Sequence, residues 1–142
     1  TTFLTETVTL QAADVDALVA TPFTIVPAQG AGNVVVPLIT TLIYRTSAGD
    51  SFGATTSSFT FTINGVDVQV APFAASGFIT LTTSQLAAES LSLTGSPFAL
   101  ATLDNQPLVL GNDNVGGEFT GGTANTTLTV ITRYIVIQTI GP

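Results

Sequence analysis

Residues 21–45 contain two runs of apolar and β-branched residues, separated by the sequence Gln-Gly-Ala-Gly-Asn. Val, Ile and Thr favour extended backbone, whereas Gly and Asn mark the loops between strands. In the second run, Thr40, Leu42 and Tyr44 fall on one face of the pleat and the intervening residues on the other. We therefore predict two paired strands here, the second of which is a central strand that later strands cover.

Alternation of apolar and polar residues predicts further strands along the chain. The strongest local signal is Asn64-Gly65 between the alternating runs 58–63 and 66–70, because an Asn-Gly pair in this position favours a tight hairpin. The same pattern predicts a long strand in residues 126–140, which we expect to be the longest of the chain. Further strands are predicted at residues 5–10, 77–81, 91–93, 98–103 and 107–110.

Helical periodicity is confined to two short segments, residues 11–20 and 83–89. Asp14 and Asp16 lie early in the first segment, where a helix dipole favours acidic side chains. Because these segments are too few and too short to connect parallel strands, we predict the all-β class. The predicted architecture is one domain over residues 1–142, an antiparallel β-sandwich or barrel of jelly-roll-like type with about eight strands, in which residues 1–4 form a flexible N-terminal arm.

A weak internal similarity relates the two halves of the chain. Val8-Thr9-Leu10, a helical segment and Thr21-Pro22-Phe23 are matched by Ile79-Thr80-Leu81, a helical segment and Ser96-Pro97-Phe98. This pattern indicates either a degenerate duplication that gives two similar sheets or chance among low-complexity β segments, of which chance is favoured.

Charged residues make up only 8% of the chain, against roughly 25% in ordinary domains. The net charge is −7, and Arg45 and Arg133 are the only cationic side chains. Two arginines cannot replace the counterions of a phosphate backbone, so we predict no binding to nucleic acid, and no polybasic segment favours a membrane. The Thr-rich surface fits either a soluble β domain or a subunit packed against neighbours, since hydroxyl groups are less costly to bury than charges.

The residue types exclude most catalytic chemistry. Histidine, lysine and cysteine are absent, which removes Ser-His and Ser-Lys nucleophiles, thiol chemistry and His or Cys metal sites. A carboxylate pair of the glycosidase type is the surviving option, and Asp104, Asp113 and Glu118 are the acids of the loop regions that would have to approach each other. Residues 112–118 have oxygen ligands at a density suited to calcium, but their spacing favours an ordinary turn-rich loop. We predict no enzyme, no metal and no cofactor.

Aromatic residues are mainly phenylalanines, which are more often core residues than sugar-stacking platforms when they alternate on strands. Tryptophan is absent and only Tyr44 and Tyr134 have polar tips. We predict a core role for this set: Phe52, Phe59, Phe61, Phe73, Phe78 and Phe119.

Residues 8–36 combine a Val-Thr-Leu strand, a short segment rich in Ala, Asp and Leu, and the sequence Thr-Pro-Phe-Thr-Ile-Val-Pro-Ala-Gln-Gly-Ala-Gly-Asn-Val-Val-Val-Pro. Together with the C-terminal run Thr-Leu-Thr-Val-Ile-Thr-Arg-Tyr-Ile-Val, this sequence resembles small β-rich virion proteins of tailed bacteriophages, of the capsid decoration, cement or head-fibre type. The shared motifs are structural, and they contain no catalytic residue that could be transferred to this chain.

The resemblance implies a non-enzymatic virion protein that is made in the host cytoplasm and binds the outer surface of an assembled phage head. Its partner would be the major capsid protein, and it would also form a homo-oligomer, by analogy a trimer. The alternative is a virion fibre or receptor-binding domain, or a bacterial surface adhesin, that binds glycan. Candidate contact segments are residues 1–4, 47–57 and 111–122, and the candidate interface residues are Thr1, Thr2, Phe3, Leu4, Tyr44, Arg45, Phe52, Asp113, Glu118, Phe119, Arg133 and Tyr134.

Overall fold

A computed structural model describes residues 2–53, 55–93 and 97–139. Within them the chain forms strands and two helices of five and four residues. In chain order the elements are β1 (Leu4–Gln11), α1 (Ala12–Asp16), β2 (Phe23–Val26), β3 (Asn33–Arg45), β4 (Ser58–Ile63), β5 (Val66–Asp67), β6 (Phe73–Ala74), β7 (Gln85–Ser90), α2 (Leu100–Leu103), β8 (Leu108–Asn112) and β9 (Thr127–Gln138).

The strands form two antiparallel sheets, which confirms the predicted all-β sandwich. The sheets do not close into the barrel that was the other predicted form. One sheet has the order β1-β9-β3-β7, and the other has the order β2-β8-β4-β5, with β6 also pairing with β4. β3 is central, as predicted, because β9 and β7 pair with its two edges. The predicted pairing of β2 with β3 is wrong, since β2 pairs with β8 in the opposite sheet. β3 is also one residue longer than β9, the strand expected to be longest.

The inner face of β3 follows the predicted alternation. Thr40, Leu42 and Tyr44 are all fully buried, and the leucines and valines of β1 and β9 that lie opposite them complete a single core between the sheets. The two buried hydroxyls of Thr40 and Thr132 lie within hydrogen-bond distance, with 3.2 Å between their Oγ1 atoms. This contact satisfies two polar groups that would otherwise destabilise the core.

Six aromatic rings form a continuous chain through one half of the core, which confirms the core role predicted for the phenylalanines it contains. Ring centroids lie 5.0–6.2 Å apart along the series Phe119, Phe59, Phe73, Phe78, Tyr44 and Phe52. The series starts and ends in connections between strands and crosses both sheets on the way. It therefore fastens those connections to the sandwich.

The predicted hairpin is confirmed around Asn64-Gly65. Both residues have positive φ angles, 46° and 78°, as the central pair of a type I′ turn requires. The second strand is short, because β5 ends at Asp67 and the chain then pairs with the segment after β7 through a bridge between Gln69 and Leu91.

Three segments differ from the prediction. Residues 77–81 form a turn, because the carbonyl of Ala75 accepts bonds from Phe78 and Ile79 and both side chains are buried together. Residues 83–89, predicted as a helical turn, lie largely in β7, since pairing with the open edge of β3 outweighs helix propensity. Residues 98–103, predicted as a strand, contain α2, while residues 91–93 contribute only the bridge at Leu91.

The first helix is confirmed as α1, and Asp14 caps it by accepting a bond from the backbone N–H of Gln11 at 2.9 Å. Leu4 is not part of a flexible arm, because it is the first residue of β1 and pairs with Tyr134; Thr1 lies outside the described residues. The proposed duplication gains no support, since Ile79-Thr80-Leu81 forms a turn where its counterpart forms a strand. In the described parts of the chain, no helix has the length and hydropathy that crossing a membrane requires.

Candidate contact surfaces

Two of the predicted contact segments meet at one end of the sandwich. The connection between β3 and β4, residues 46–57, and the connection between β8 and β9, residues 113–126, each cross from one sheet to the other at this end. We call them the paired loops. They are joined by a β-bridge between Phe52 and Gly121 and by a backbone bond of 2.8 Å from the N–H of Gly53 to the carbonyl of Thr120.

Side-chain hydrogen bonds join the paired loops at two further points. The carboxylate of Asp50 accepts bonds from Thr123 Oγ1 at 2.7 Å and Asn125 Nδ2 at 2.9 Å. The hydroxyl of Ser57 donates to the carbonyl of Gly117 at 2.8 Å and accepts from the N–H of Gly116 at 2.9 Å. These contacts join residues 59 to 75 positions apart in sequence and hold the two segments as one surface.

The hydrogen bonds from Asn125 and Thr123 lower the pKa of Asp50 below its ordinary value of 3.8. The folded state therefore favours the ionised carboxylate, and this stabilisation is present above pH 3.8 and lost as the pH falls through the lowered pKa. We expect Asp50→Asn to be less stable than the wild type at neutral pH, with a difference that disappears in acid. Urea denaturation at neutral and acidic pH tests this, and a constant difference would show that the charge of Asp50 is irrelevant.

The acids considered for catalysis are separate structural groups. Glu118 accepts bonds from the backbone N–H groups of Val19 and Ala20 at 2.6 and 3.1 Å. Asp113 accepts from the N–H of Ser58 at 3.0 Å, and Asp104 accepts from that of Gly32 at 2.6 Å. Each carboxylate therefore accepts bonds from the backbone of a different segment.

Asp16 is the last residue of α1 and lies near Glu118. Burial and the negative charge of Glu118 raise the pKa of Asp16. Its Oδ1 atom is buried and has no hydrogen-bond partner among the described residues. Histidine, cysteine and acidic side chains do not gather in groups of three or more that could hold a metal ion within residues 2–53, 55–93 and 97–139.

Both arginines of the chain lie on the outer face of the β1-β9-β3-β7 sheet. Cross-strand pairing places Arg45 opposite Thr127 and Arg133 opposite Ile39, on the side away from the buried residues. We call this surface the arginine face. It consists of Thr5, Thr7 and Thr9 of β1, Thr127, Thr129, Ile131 and Arg133 of β9, Ile39, Thr41, Ile43 and Arg45 of β3, and Leu86 and Ala88 of β7.

The arginine face contains none of the nine acidic residues, because Glu6 and Glu89 of its edge strands point to the inner side of the sheet. Arg45 borders an open groove of about 540 Å³ beside Leu86 and Asn125, and donates to Thr129 Oγ1 at 3.3 Å. Arg133 borders a smaller hollow of about 210 Å³, where its Cζ atom lies 5.9 Å from the ring centre of Phe3. Each arginine therefore rests against the face with its charge available to a partner.

Four of the residues predicted to form an interface belong to the core instead. Tyr44, Phe52, Phe119 and Tyr134 are each at most 5% exposed. Apolar rings of this size are buried because the paired loops and the two sheets cover them, and the Tyr44 hydroxyl donates to the carbonyl of Leu81 at 3.0 Å. These side chains are not available to a partner in this structure.

The exposed candidates are divided between two ends of the molecule. Asp113 and the half-buried Glu118 lie in the second of the paired loops, and Arg45 lies at the end of β3, where the first of these loops begins. Thr2, Phe3 and Leu4 are exposed near Arg133 at the opposite end. Leu4 pairs with Tyr134, which lies seven residues along β9 from Thr127, the partner of Arg45, and so about 23 Å from it. The structure therefore does not join the N-terminal segment to the paired loops in one contact surface.

Sequence reasoning missed Asp50 and Ser57, which hold the paired loops together. The only signal was their position, since Asp and Ser in a Gly-rich loop commonly accept backbone or side-chain bonds. Comparison with protein-family models and with curated proteins finds no match for this chain.

Proposed function

We propose that this chain is a non-enzymatic virion structural protein that binds the outer surface of an assembled phage head and stabilises it. The observation that supports this function is the fixed surface of the paired loops, which agrees with the sequence resemblance to decoration and cement proteins. Each charged group of these loops accepts at least one hydrogen bond within the chain: Asp50, Glu118 and, through Oδ1 alone, Asp113. The surface offered to a partner is consequently made mainly of Ser, Thr, Asn and Gly, with Val115 72% exposed.

Such a surface suits binding by contact alone. Hydroxyl and amide groups lose less free energy on desolvation than charges do, and a preformed surface loses little conformational freedom on binding. A subunit that binds the assembled shell and not its free components stabilises the shell by RT ln(1 + [L]/Kd) per site, which is about 2.7 kcal/mol at 100 times Kd. The partner in this proposal is the major capsid protein.

No specific observation in the described residues supports glycan binding, the alternative function. A stacking platform requires exposed aromatic rings, and Phe3 is the only one among the strongly exposed large apolar side chains of the described residues. The groove beside Arg45 is lined by Ile43, Leu86 and polar side chains, without an aromatic ring.

The test is cosedimentation of the purified chain with phage heads assembled without it. We expect saturable binding by the wild type and loss of binding by Val115→Asp, which places a charge on the paired loops. Leu100→Asp is the matched control, because Leu100 is 59% exposed on α2 at the other end of the molecule. Absence of wild-type binding would refute the proposed function, and equal loss in both variants would refute the assignment to the paired loops.

A further inference from the structure

We infer that the arginine face binds a second copy of this chain, at an acidic hollow on the outer side of the other sheet. This inference goes beyond head binding, because it concerns contacts between copies. The hollow has a volume of about 320 Å³. It is bordered by Ser58, Thr60, Asp67, Gln69, Val70 and Asp113, and we call it the acidic hollow.

Charge decides which kind of partner the arginine face accepts. It holds both cations of a chain whose net charge is −7, and it holds no acid. Two arginine faces cannot therefore neutralise each other, and a symmetric dimer through this face would bring like charges together. A partner must supply carboxylates, and every copy of the chain presents them on its other surfaces.

The acidic hollow has carboxylate oxygens that are free to bind such a partner. Asp67 accepts a bond from the N–H of Gln69 at 2.8 Å, and Asp113 accepts bonds from the N–H groups of Ser58 and Val115, in each case through Oδ1. No described residue donates to the two Oδ2 atoms. Among the residues that the structure describes, the two aspartates are the only charged side chains bordering the hollow, and the exposed Val70 at its rim can cover the aliphatic part of an arginine.

The size of the arginine face indicates weak association. The seven residues 39–45 of β3 that belong to the face are about 23 Å long and four strands span about 14 Å, which gives about 320 Å² per partner. Buried areas of this size belong to weak or transient complexes. We therefore expect association in solution only at high concentration, and stronger association where copies are held side by side on a shell.

The contact is heterologous, because it joins two different surfaces of the same chain. Such contacts add copies in one direction and give either a closed ring, such as the trimer expected from the resemblance, or an open stack. Both surfaces are charged, so salt should weaken the contact.

The test is sedimentation velocity of the whole chain from about 10 μM to about 1 mM, at low and at high salt. We expect the mean mass to rise with concentration at low salt and to return to that of the monomer at high salt. Arg45→Glu/Arg133→Glu is expected to remain monomeric, and so is Asp67→Lys. An equimolar mixture of these two variants should form dimers and no larger species, because each copy retains one competent surface.

Val70→Lys is a second variant of the hollow, which adds a cation at an exposed position and removes no hydrogen bond. Val70→Lys should also weaken association, and it takes the place of Asp67→Lys in the test if that variant fails to fold. A wild type that stays monomeric at about 1 mM in low salt would overturn the inference, as would arginine variants that associate like the wild type. Val115→Asp should still self-associate, so failure of head binding and failure of this inference are distinguishable.

Discussion

Replacement of Phe59 by alanine is expected to lower the free energy of unfolding by about 3–5 kcal/mol. Phe59 is fully buried, and its ring centre lies 5.8 Å from that of Phe73 and 5.0 Å from that of Phe119. The substitution therefore removes the link between a strand of one sheet and the second of the paired loops, and it leaves a cavity that rigid strands cannot fill. Since domains of this size are stable by about 5–15 kcal/mol, much of the fold's stability would be lost.

Urea denaturation gives the free energies for this comparison. Phe59→Leu should be affected less, because it keeps much of the buried volume. Val115→Ala serves as the control, since the side chain is 72% exposed and its removal should change stability by less than about 0.5 kcal/mol. A loss of less than about 1 kcal/mol for Phe59→Ala would mean that the aromatic chain is not the centre of the core.

The parts of the fold that were predictable from sequence depend on local patterns. The alternation of Thr40, Leu42 and Tyr44 identified the buried face of β3, because side chains of a strand point to opposite sides in turn. Asn64-Gly65 identified a turn, because both positions require positive φ angles that these residues tolerate. Neither signal depends on which strands become neighbours in space.

Strand partners and the sheet to which each strand belongs were not predictable in the same way. The loop before β3 suggested pairing with β2, but a connection that crosses between sheets has the same composition as one that joins neighbours. Residues 83–89 favour a helix by composition, and only the open edge of β3 makes them a strand. Tertiary pairing thus determined both outcomes.

The candidate contact surfaces show the same division. Residues 47–57 and 111–122 were recognisable as loops from their Gly, Ser and Asn content, but their pairing depends on contacts across about 70 residues of sequence. Phe52 and Phe119 were placed both in the core and at an interface, and only the folded loops decide between these positions. That both arginines share one face follows from the register of β9 against β3.

Replacement of Gly122 by alanine should lower the free energy of unfolding by about 2–5 kcal/mol, the second largest effect that we expect. Gly122 has a φ angle of +75°, a conformation that costs other residues about 1–2 kcal/mol. A Cβ atom at this position would also lie 2.6 Å from Cε1 of Phe52 and 3.0 Å from Cβ of Ala12. Because Phe52 belongs to the other paired loop and Ala12 to α1, relief of the overlap must displace one of them, which adds about 1–3 kcal/mol.

Gly117→Ala separates these two contributions. Gly117 has a φ angle of +81° in the same loop, but a Cβ atom there would meet no heavy atom within 4 Å. It should therefore show the conformational cost alone, and the difference between the two variants, measured by urea denaturation, reports the packing of Gly122 against Phe52. Limited proteolysis should detect the displaced loop in Gly122→Ala and not in Gly117→Ala. If the two variants were equally destabilised, the paired loops would be joined by hydrogen bonds alone, and contact of the glycine backbone with the Phe52 ring would not be needed to hold them together.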